Sequence, residues 1–283
     1  MEAGCPNEIC LDAGSSASGD FSHDAPRRGL FQSAGSFLRR LGNTAVDFLV
    51  PPRCCLCGRT DQEFSVKGIC YCDECSTSLS PDPINRCERC GAEAGPFAST
   101  TSGCTHCRNR SLKFRSVVCL SMYEGTLRKA LLSAKWSFSA VPMKSLARLL
   151  VSARFDELAE LNVDRVIPIP QHWRQRMVRN FNPAIVIGEE VAGRLGVPCD
   201  VHLLKRSHRT RPQKRVSVQQ RFENQKGTLS LRDSHLVKGE RILLIDDVLT
   251  TGATCSEAAV LLRRAGAAEC HVAVLGRVLD HSA

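Results

Sequence analysis

Four cysteine pairs, each with two residues between its members, follow one another: Cys54 and Cys57, Cys72 and Cys75, Cys87 and Cys90, Cys104 and Cys107. Zinc takes four soft ligands in a tetrahedron, and two intervening residues let one turn point both sulfurs at one ion, so four pairs make two sites of four thiolates. Ten of the sixteen cysteines fall between Cys54 and Cys107. In a reducing compartment such clustering points to metal rather than disulfides. Pairing the first with the second and the third with the fourth gives two zinc ribbons in tandem and is preferred, with a cross-brace, first with third, left open. No acid or histidine stands in an open site, so both ions are expected to be structural. Cys55, Cys70 and His106 lie beside the pairs and are left out of the ligand set. This double ribbon, 51–110, has little that could form a core, so metal is expected to hold it together.

The rest of the chain has a different texture. Residues 1–30 are rich in Gly, Ser, Ala and Asp without periodicity and read as a flexible tail. Over 31–50, apolar residues at Phe37, Leu38, Leu41, Ala45, Phe48 and Leu49 recur at helical spacing until Pro51 and Pro52 stop them, which predicts a lead-in helix. Beyond 110 the strands SVVCLSMY, DRVIPIP, VHLLKR, RILLIDDV and CHVAVLGRV alternate with the helices GTLRKALLSAKW, PMKSLARLLVSARF, NPAIVIGEEVAGRLG and SEAAVLLRRAG. That alternation predicts an α/β domain over 111–283, a mostly parallel sheet flanked by helices. With 43% hydrophobic and 24% charged residues the chain is neither disordered nor fibrous. No stretch approaches the roughly 18 apolar residues of a spanning helix, and MEAGCPNEICLDAGSSASGD lacks a basic start with an apolar core, so a cytoplasmic protein without a transmembrane segment is expected.

The net charge is +9, and residues 171–221 hold eleven Lys and Arg against three acids. Within them LKRSHRTRPQKRVSVQQR, Leu204 to Arg221, has seven basic residues and no acid. Such an arm wants phosphate, from a nucleotide, a sugar phosphate or a nucleic-acid backbone.

The segment most telling for chemistry is RILLIDDVLTTGATCSEAAVLLRRAGA, Arg241 to Ala267. Four apolar residues, Ile242 to Ile245, make a central strand with two carboxylates at its carboxyl end, where open parallel sheets bind ligands. Thr250, Thr251 and Thr254 supply hydroxyls, Gly252 lets the backbone come close, and the turn through Ala253 opens a helix whose first N–H groups favour an anion. The arrangement suits a compound with a phosphate at one end, held by the loop, and a diol at the other, held by Asp246 and Asp247.

These residues bring a resemblance into view. DDVLTTGAT is similar to the phosphoribosyl pyrophosphate motif of type I phosphoribosyltransferases, and the chain from Phe48 to Val278 resembles the ComF family, in which tandem zinc ribbons precede such a domain. VPPRCCLCG, YEGTLRKALLSAKW, VIPIP, the basic arm and the terminal strand share in the resemblance. Where the family has RGFNQ this chain has Arg179-Asn180-Phe181-Asn182-Pro183, so Arg179, Phe181 and Asn182 match and two positions do not. In the arm, Arg206, Thr210, Gln213, Arg221 and Asn224 match a family pattern.

The resemblance implies a type I phosphoribosyltransferase fold that binds phosphoribosyl pyrophosphate with magnesium, with Asp246 and Asp247 as catalytic residues, Ile169 and Pro170 as the pyrophosphate floor, and Arg179 contacting phosphate. Pyrophosphate would leave ribose C1 as a nitrogen nucleophile attacks, chemistry that rests on positioning and electrostatics rather than a dedicated base. His172, His202, His208 and His235 have no partner at motif spacing. The family's association with DNA uptake during competence implies single-stranded DNA and uptake proteins as partners, and a nucleotide-regulated DNA-binding protein without turnover is the competing reading. Trp136 and Trp173 are the only tryptophans that could stack a base. A scaffold with an idle ligand site is a third.

Overall fold

The computed structural model describes residues 53–60, 68–81, 85–95, 103–171, 179–206, 218–232 and 237–279. The expected tail, lead-in helix and most of the basic arm lie outside the described residues, as do Trp173, His172, His208 and His235. Pro51–Ala283 makes one compact unit that contains both the cysteine-rich segment and the α/β part.

Along this unit run α1 (Asp73–Leu79), β1 (Val117–Met122), α2 (Gly125–Trp136), α3 (Val141–Ala153), α4 (Phe155–Glu160), β2 (Arg165–Pro168), α5 (Pro183–Leu195), β3 (Leu204–Arg206), α6 (Val218–Gln225), β4 (Leu229–Leu231), β5 (Arg241–Leu249), α7 (Ala253–Arg264) and β6 (Glu269–Arg277). Four strands form a wholly parallel sheet in the order β1-β6-β5-β2. β3 and β4 form a separate antiparallel pair, with Leu204 opposite Leu231 and Arg206 opposite Leu229. Local sequence explains the helices. Leu127, Ala130, Leu131 and Ala134 put one buried stripe on α2, and Met143, Leu146, Ala147 and Leu150 do the same for α3. Asn182 caps α5, its side chain accepting from the Ala184 N–H at 3.0 Å, Pro183 suits the first turn, and Gly196 at φ 73° ends the helix.

Alternate residues of each strand enter opposite layers, as the two-residue period of a strand requires. Val118, Leu120, Leu243, Ile245, Ala273 and Leu275 pack with α2, α3 and α5, whereas Val117, Cys119, Ile242, Leu244, Val272 and Val274 pack with α7. The two cysteine sets divide between these layers. Cys54 and Cys72 belong to the first, with Tyr71 and Leu79; Cys87, Cys90, Cys104 and Cys107 belong to the second, with Leu112 and Phe114. The segment expected to lack a core therefore borrows one from each face of the sheet. No helix among the described residues is long and apolar enough to cross a membrane.

Candidate functional site

Because all four strands run the same way, their carboxyl ends share one edge, and the candidate residues collect there. β5 delivers Asp246 and Asp247. Beside it the Ile169 N–H donates to the Ile245 carbonyl at 2.8 Å, so Ile169 and Pro170 run next to the carboxylates. Asn182 reaches back from the start of α5, its amide donating to the Ile169 carbonyl at 3.5 Å while its oxygen caps the helix. Together with Arg179, Gln171, Ala184, Lys135, Arg206 and Thr254 these residues line a cavity of about 190 Å³.

Two of the cavity's charges form an ion pair. Lys135 Nζ stands 2.7 Å from Asp247 Oδ2, with both side chains largely buried. Asp246 Oδ1 accepts from the Asp247 N–H at 2.9 Å. Burial, followed by the neighbouring Asp247 charge, pushes the Asp246 carboxyl up to about 7, against the pull of that N–H, Lys135 and Arg206. Arg206 is anchored through the Pro170 carbonyl at 3.3 Å and Gln225 Oε1 at 2.8 Å, and burial lowers its pKa. Arg206 Nε and Gln171 Nε2 are buried without a hydrogen-bond partner among the described residues, although both residues line the cavity. Buried donors of this kind want acceptors, and phosphoryl oxygens would satisfy them.

Thr250, Thr251, Gly252 and Ala253 form the turn from β5 into α7. Thr250 is exposed, while the next three are buried. Thr251 Oγ1 accepts weakly from the Ala253 N–H at 3.4 Å within the turn. Gly252 has φ 80°, and a Cβ there would stand 2.9 Å from Leu112 Cδ2. Its lack of a side chain thus also lets the turn dock on the segment that follows Cys107. The first N–H groups of α7, which no intrahelical carbonyl serves, lie just past this turn.

Of the ligand-site residues expected from the sequence, Asp246, Asp247, Thr254, Ile169, Pro170 and Arg179 line the cavity, whereas Thr250, Thr251, Gly252 and Ala253 are not among its lining residues. Sequence reasoning missed Lys135 and Gln171 and assigned Arg206 only to the arm. Lys135 carried a readable signal: it falls four residues after Leu131, on the buried stripe of α2, where an unpaired cation would be costly.

The eight cysteines form two tetrads, Cys54, Cys57, Cys72 and Cys75, and Cys87, Cys90, Cys104 and Cys107, with all sulfurs of a tetrad within 4.8 Å of one another. This is the sequential pairing. Sulfur separations of 3.7 Å for Cys57 and Cys72, 3.8 Å for Cys87 and Cys107 and 3.6 Å for Cys90 and Cys104 suit a tetrahedral ion. Metal–sulfur bonds of about 2.3 Å place tetrahedral sulfurs about 3.8 Å apart. Burial opposes ionisation of Cys54, but the N–H groups of Cys57, Cys72 and Leu56 bring its thiol down to about 6. Cys57 of the first tetrad is exposed, whereas all four members of the second are buried.

Residues 182–280 match the phosphoribosyl transferase domain family. DNA utilization protein YhgH of Salmonella typhimurium is 31% identical over 238 residues, 81% of this chain and 99% of that protein. Competence protein F of Haemophilus influenzae is 28% identical over 232 residues, 80% of this chain and 96% of that protein. A shorter match, 32% over 105 residues, covers 37% of this chain and 56% of the adenine phosphoribosyltransferase of Streptomyces galbus. With cysteine tetrads leading into a phosphoribosyltransferase-type sheet, and relatives aligned along nearly their whole length, this chain belongs to the ComF family.

Proposed function

We propose that the chain binds phosphoribosyl pyrophosphate with magnesium at the β5–α7 site and transfers phosphoribose to a nitrogen nucleophile, with a structural zinc ion in each cysteine tetrad. One observation carries the reading: a single cavity unites two carboxylates from a strand end with three cations, Lys135, Arg179 and Arg206, from three other segments. Asp246 and Asp247 offer acceptors to the ribose diol, and the first turn of α7 offers donors to the 5′-phosphate. Arg179 and Arg206, which share the cavity lining with Ile169 and Pro170, would offer donors to the pyrophosphate, and Lys135 would balance the charge of Asp247. Magnesium, when bound, neutralises charge on the leaving pyrophosphate.

Calorimetric titration with phosphoribosyl pyrophosphate and magnesium, beside pyrophosphate release over a panel of nucleobases, tests this. Asp247→Asn combined with Thr254→Ala is expected to abolish binding with circular dichroism and zinc content intact. Thr254 is the better probe than Thr251 because it lines the cavity. Undiminished affinity in the double variant would move the site elsewhere.

The relatives named for DNA utilization and competence support a link to DNA uptake. Single-stranded DNA binding without turnover is the second reading, favoured by the outer side of α2, the turn after it and the start of α3. Trp136 is 64% and Phe138 95% exposed, beside exposed Leu132 and Val141. Residues 125–154 hold six Lys and Arg and no acid, and of these Arg128, Lys129 and Lys144 are exposed. Cations interleaved with aromatic faces suit a single strand, whose phosphates and bases need both.

A further inference from the structure

Arg277, the last residue of β6, is 2% exposed. Its Nε donates to the Cys90 carbonyl at 2.7 Å, and its Nη1 donates to the carbonyls of Thr250 at 2.6 Å, Leu249 at 3.1 Å and Val278. One planar guanidinium therefore joins a turn of the second cysteine tetrad to the residues that open the anion-binding loop. A buried arginine held by carbonyls is strict about geometry, because its charge has been taken from water and each N–H must find an oxygen.

A second connection runs in parallel. The Arg89 guanidinium donates to the Leu112 carbonyl at 3.3 Å, and the Lys113 N–H donates to Ser256 Oγ in the first turn of α7 at 3.3 Å. Leu112 and Phe114 fill the side of Gly252 that a Cβ would need. The tetrad's segment thus touches the loop before, at and after Gly252.

We propose that Arg277 is a positioning residue that couples metal occupancy of the Cys87, Cys90, Cys104 and Cys107 site to the conformation of the loop at 250–254, and so to its affinity for the phosphate ligand. Metal fixes the Cys90 turn, the Cys90 carbonyl orients Arg277, and Arg277 fixes the Leu249 and Thr250 carbonyls, which sets where the following N–H groups aim. The first tetrad packs on the other face of the sheet and has no such connection among the described residues. Coupling between two sites is reciprocal, so ligand must also hold the second metal more tightly. This inference rests on the phosphoribosyl pyrophosphate and zinc readings above.

The test uses the full zinc-loaded chain as wild type, Arg277→Lys, Arg277→Met and Cys57→Ser. Four quantities are measured: affinity for phosphoribosyl pyrophosphate with magnesium, zinc content, zinc affinity in equilibrium competition with a chelator with and without that ligand, and amide hydrogen exchange at 249–254 without it. In wild type, ligand is expected to tighten the second zinc about five- to tenfold in equilibrium competition with the chelator, within the usual range of coupling between sites. Arg277→Met should lose that protection, weaken ligand binding by the same factor and speed exchange at 249–254, with Arg277→Lys between. Cys57→Ser should change none of these for the second site. Ligand binding in wild type with equal zinc affinity either way, or normal exchange and affinity in both Arg277 variants, overturns the coupling. Faster exchange in the variants when even wild type binds no ligand keeps the coupling and overturns the ligand reading instead. Should Arg277→Met fail to fold, the protection measured in wild type still decides.

Discussion

Lys135 and Asp247 meet at 2.7 Å across the mouth of the cavity, one from the end of α2 and the other from β5. Neither is close to the other in sequence, and the pair sets a cation against Asp247 where a second carboxylate, Asp246, adjoins it. Lys135→Met keeps the length of the stem and removes the charge. A hydrogen bond to a charged group is worth about 1.5 to 3 kcal/mol, and about 1.4 kcal/mol is tenfold in affinity. Binding of phosphoribosyl pyrophosphate with magnesium should therefore weaken roughly ten- to a hundredfold in this variant by calorimetry. An unchanged dissociation constant would show that Lys135 serves the fold alone.

Asp246 gives the site a pH dependence whose sign follows from its carboxyl being raised to about 7. Between the ordinary carboxylate range and pH 7 the native state keeps a proton that the unfolded chain has lost, so this group's contribution to stability is full below about pH 4 and is lost as pH rises through 7. Asp246→Asn should remove that slope and make the protein more stable than wild type at pH 8 in urea unfolding. A cation at the site needs the ionised form, so wild-type ligand affinity should rise from pH 6 to 8 and binding should release a proton. The ligand's own phosphates titrate alike in both proteins, so the difference between wild type and variant carries the test. Equal pH profiles would place the raised carboxyl elsewhere.

Much of this was readable from residue order. The apolar run Ile242 to Ile245, the carboxylates after it and the turn into α7 are contiguous, so local pattern is enough to expect a ligand-binding strand end. The cysteine pairs are likewise local, and their spacing alone implies two tetrahedral sites. What escaped were relations that only the assembled sheet creates. Lys135 reaches Asp247 from 112 positions away in the chain. Arg277 reaches Cys90 over a separation of 187. Three-residue strands such as β3 and β4 are too short for a period to declare itself, which is why β4 gave no sign, although it pairs with the strand that carries Arg206. The sharing of the two tetrads between the faces of the sheet was hidden for the same reason: the residues that bury them belong to helices far along the chain.

That sharing changes what metal loss should do. Cys57 is exposed and Cys75 only partly buried, whereas the second tetrad is buried throughout. Excess chelator should therefore remove zinc in two phases of equal amplitude, the fast one absent in Cys57→Ser. Loss of the second ion should lower the melting temperature more, because its ligands pack with Val117, Val272 and Val274 in the layer beneath α7. Release of both ions in one phase, or a total of one zinc per purified, reduced chain, would contradict this.

Two basic segments compete for single-stranded DNA, and their chemistry separates them. The arm from Lys205 to Arg221 has seven cations and no aromatic residue, so its binding should be almost wholly counterion release. Replacing Lys205, Arg209, Arg211 and Lys214 by Ala, with Arg206 kept because it lines the cavity, should flatten the slope of log affinity against log salt. The outer side of α2 and the turn after it add Trp136 and Phe138 to their cations. Stacking one base on an aromatic ring is worth about 1 to 3 kcal/mol and depends little on salt. Trp136→Ala with Phe138→Ala should thus lower affinity by about tenfold or more at every salt concentration while leaving the slope unchanged, and tryptophan fluorescence should be quenched on binding in wild type. Because Lys135 lies in the cavity and Trp136 follows it, phosphoribosyl pyrophosphate should alter that quenching if DNA lies on this surface. An affinity that is unchanged in the double aromatic variant but lost in the quadruple arm variant would assign DNA to the arm alone. Quenching by anionic lipid vesicles and not by oligonucleotides would assign the aromatic face to a membrane surface.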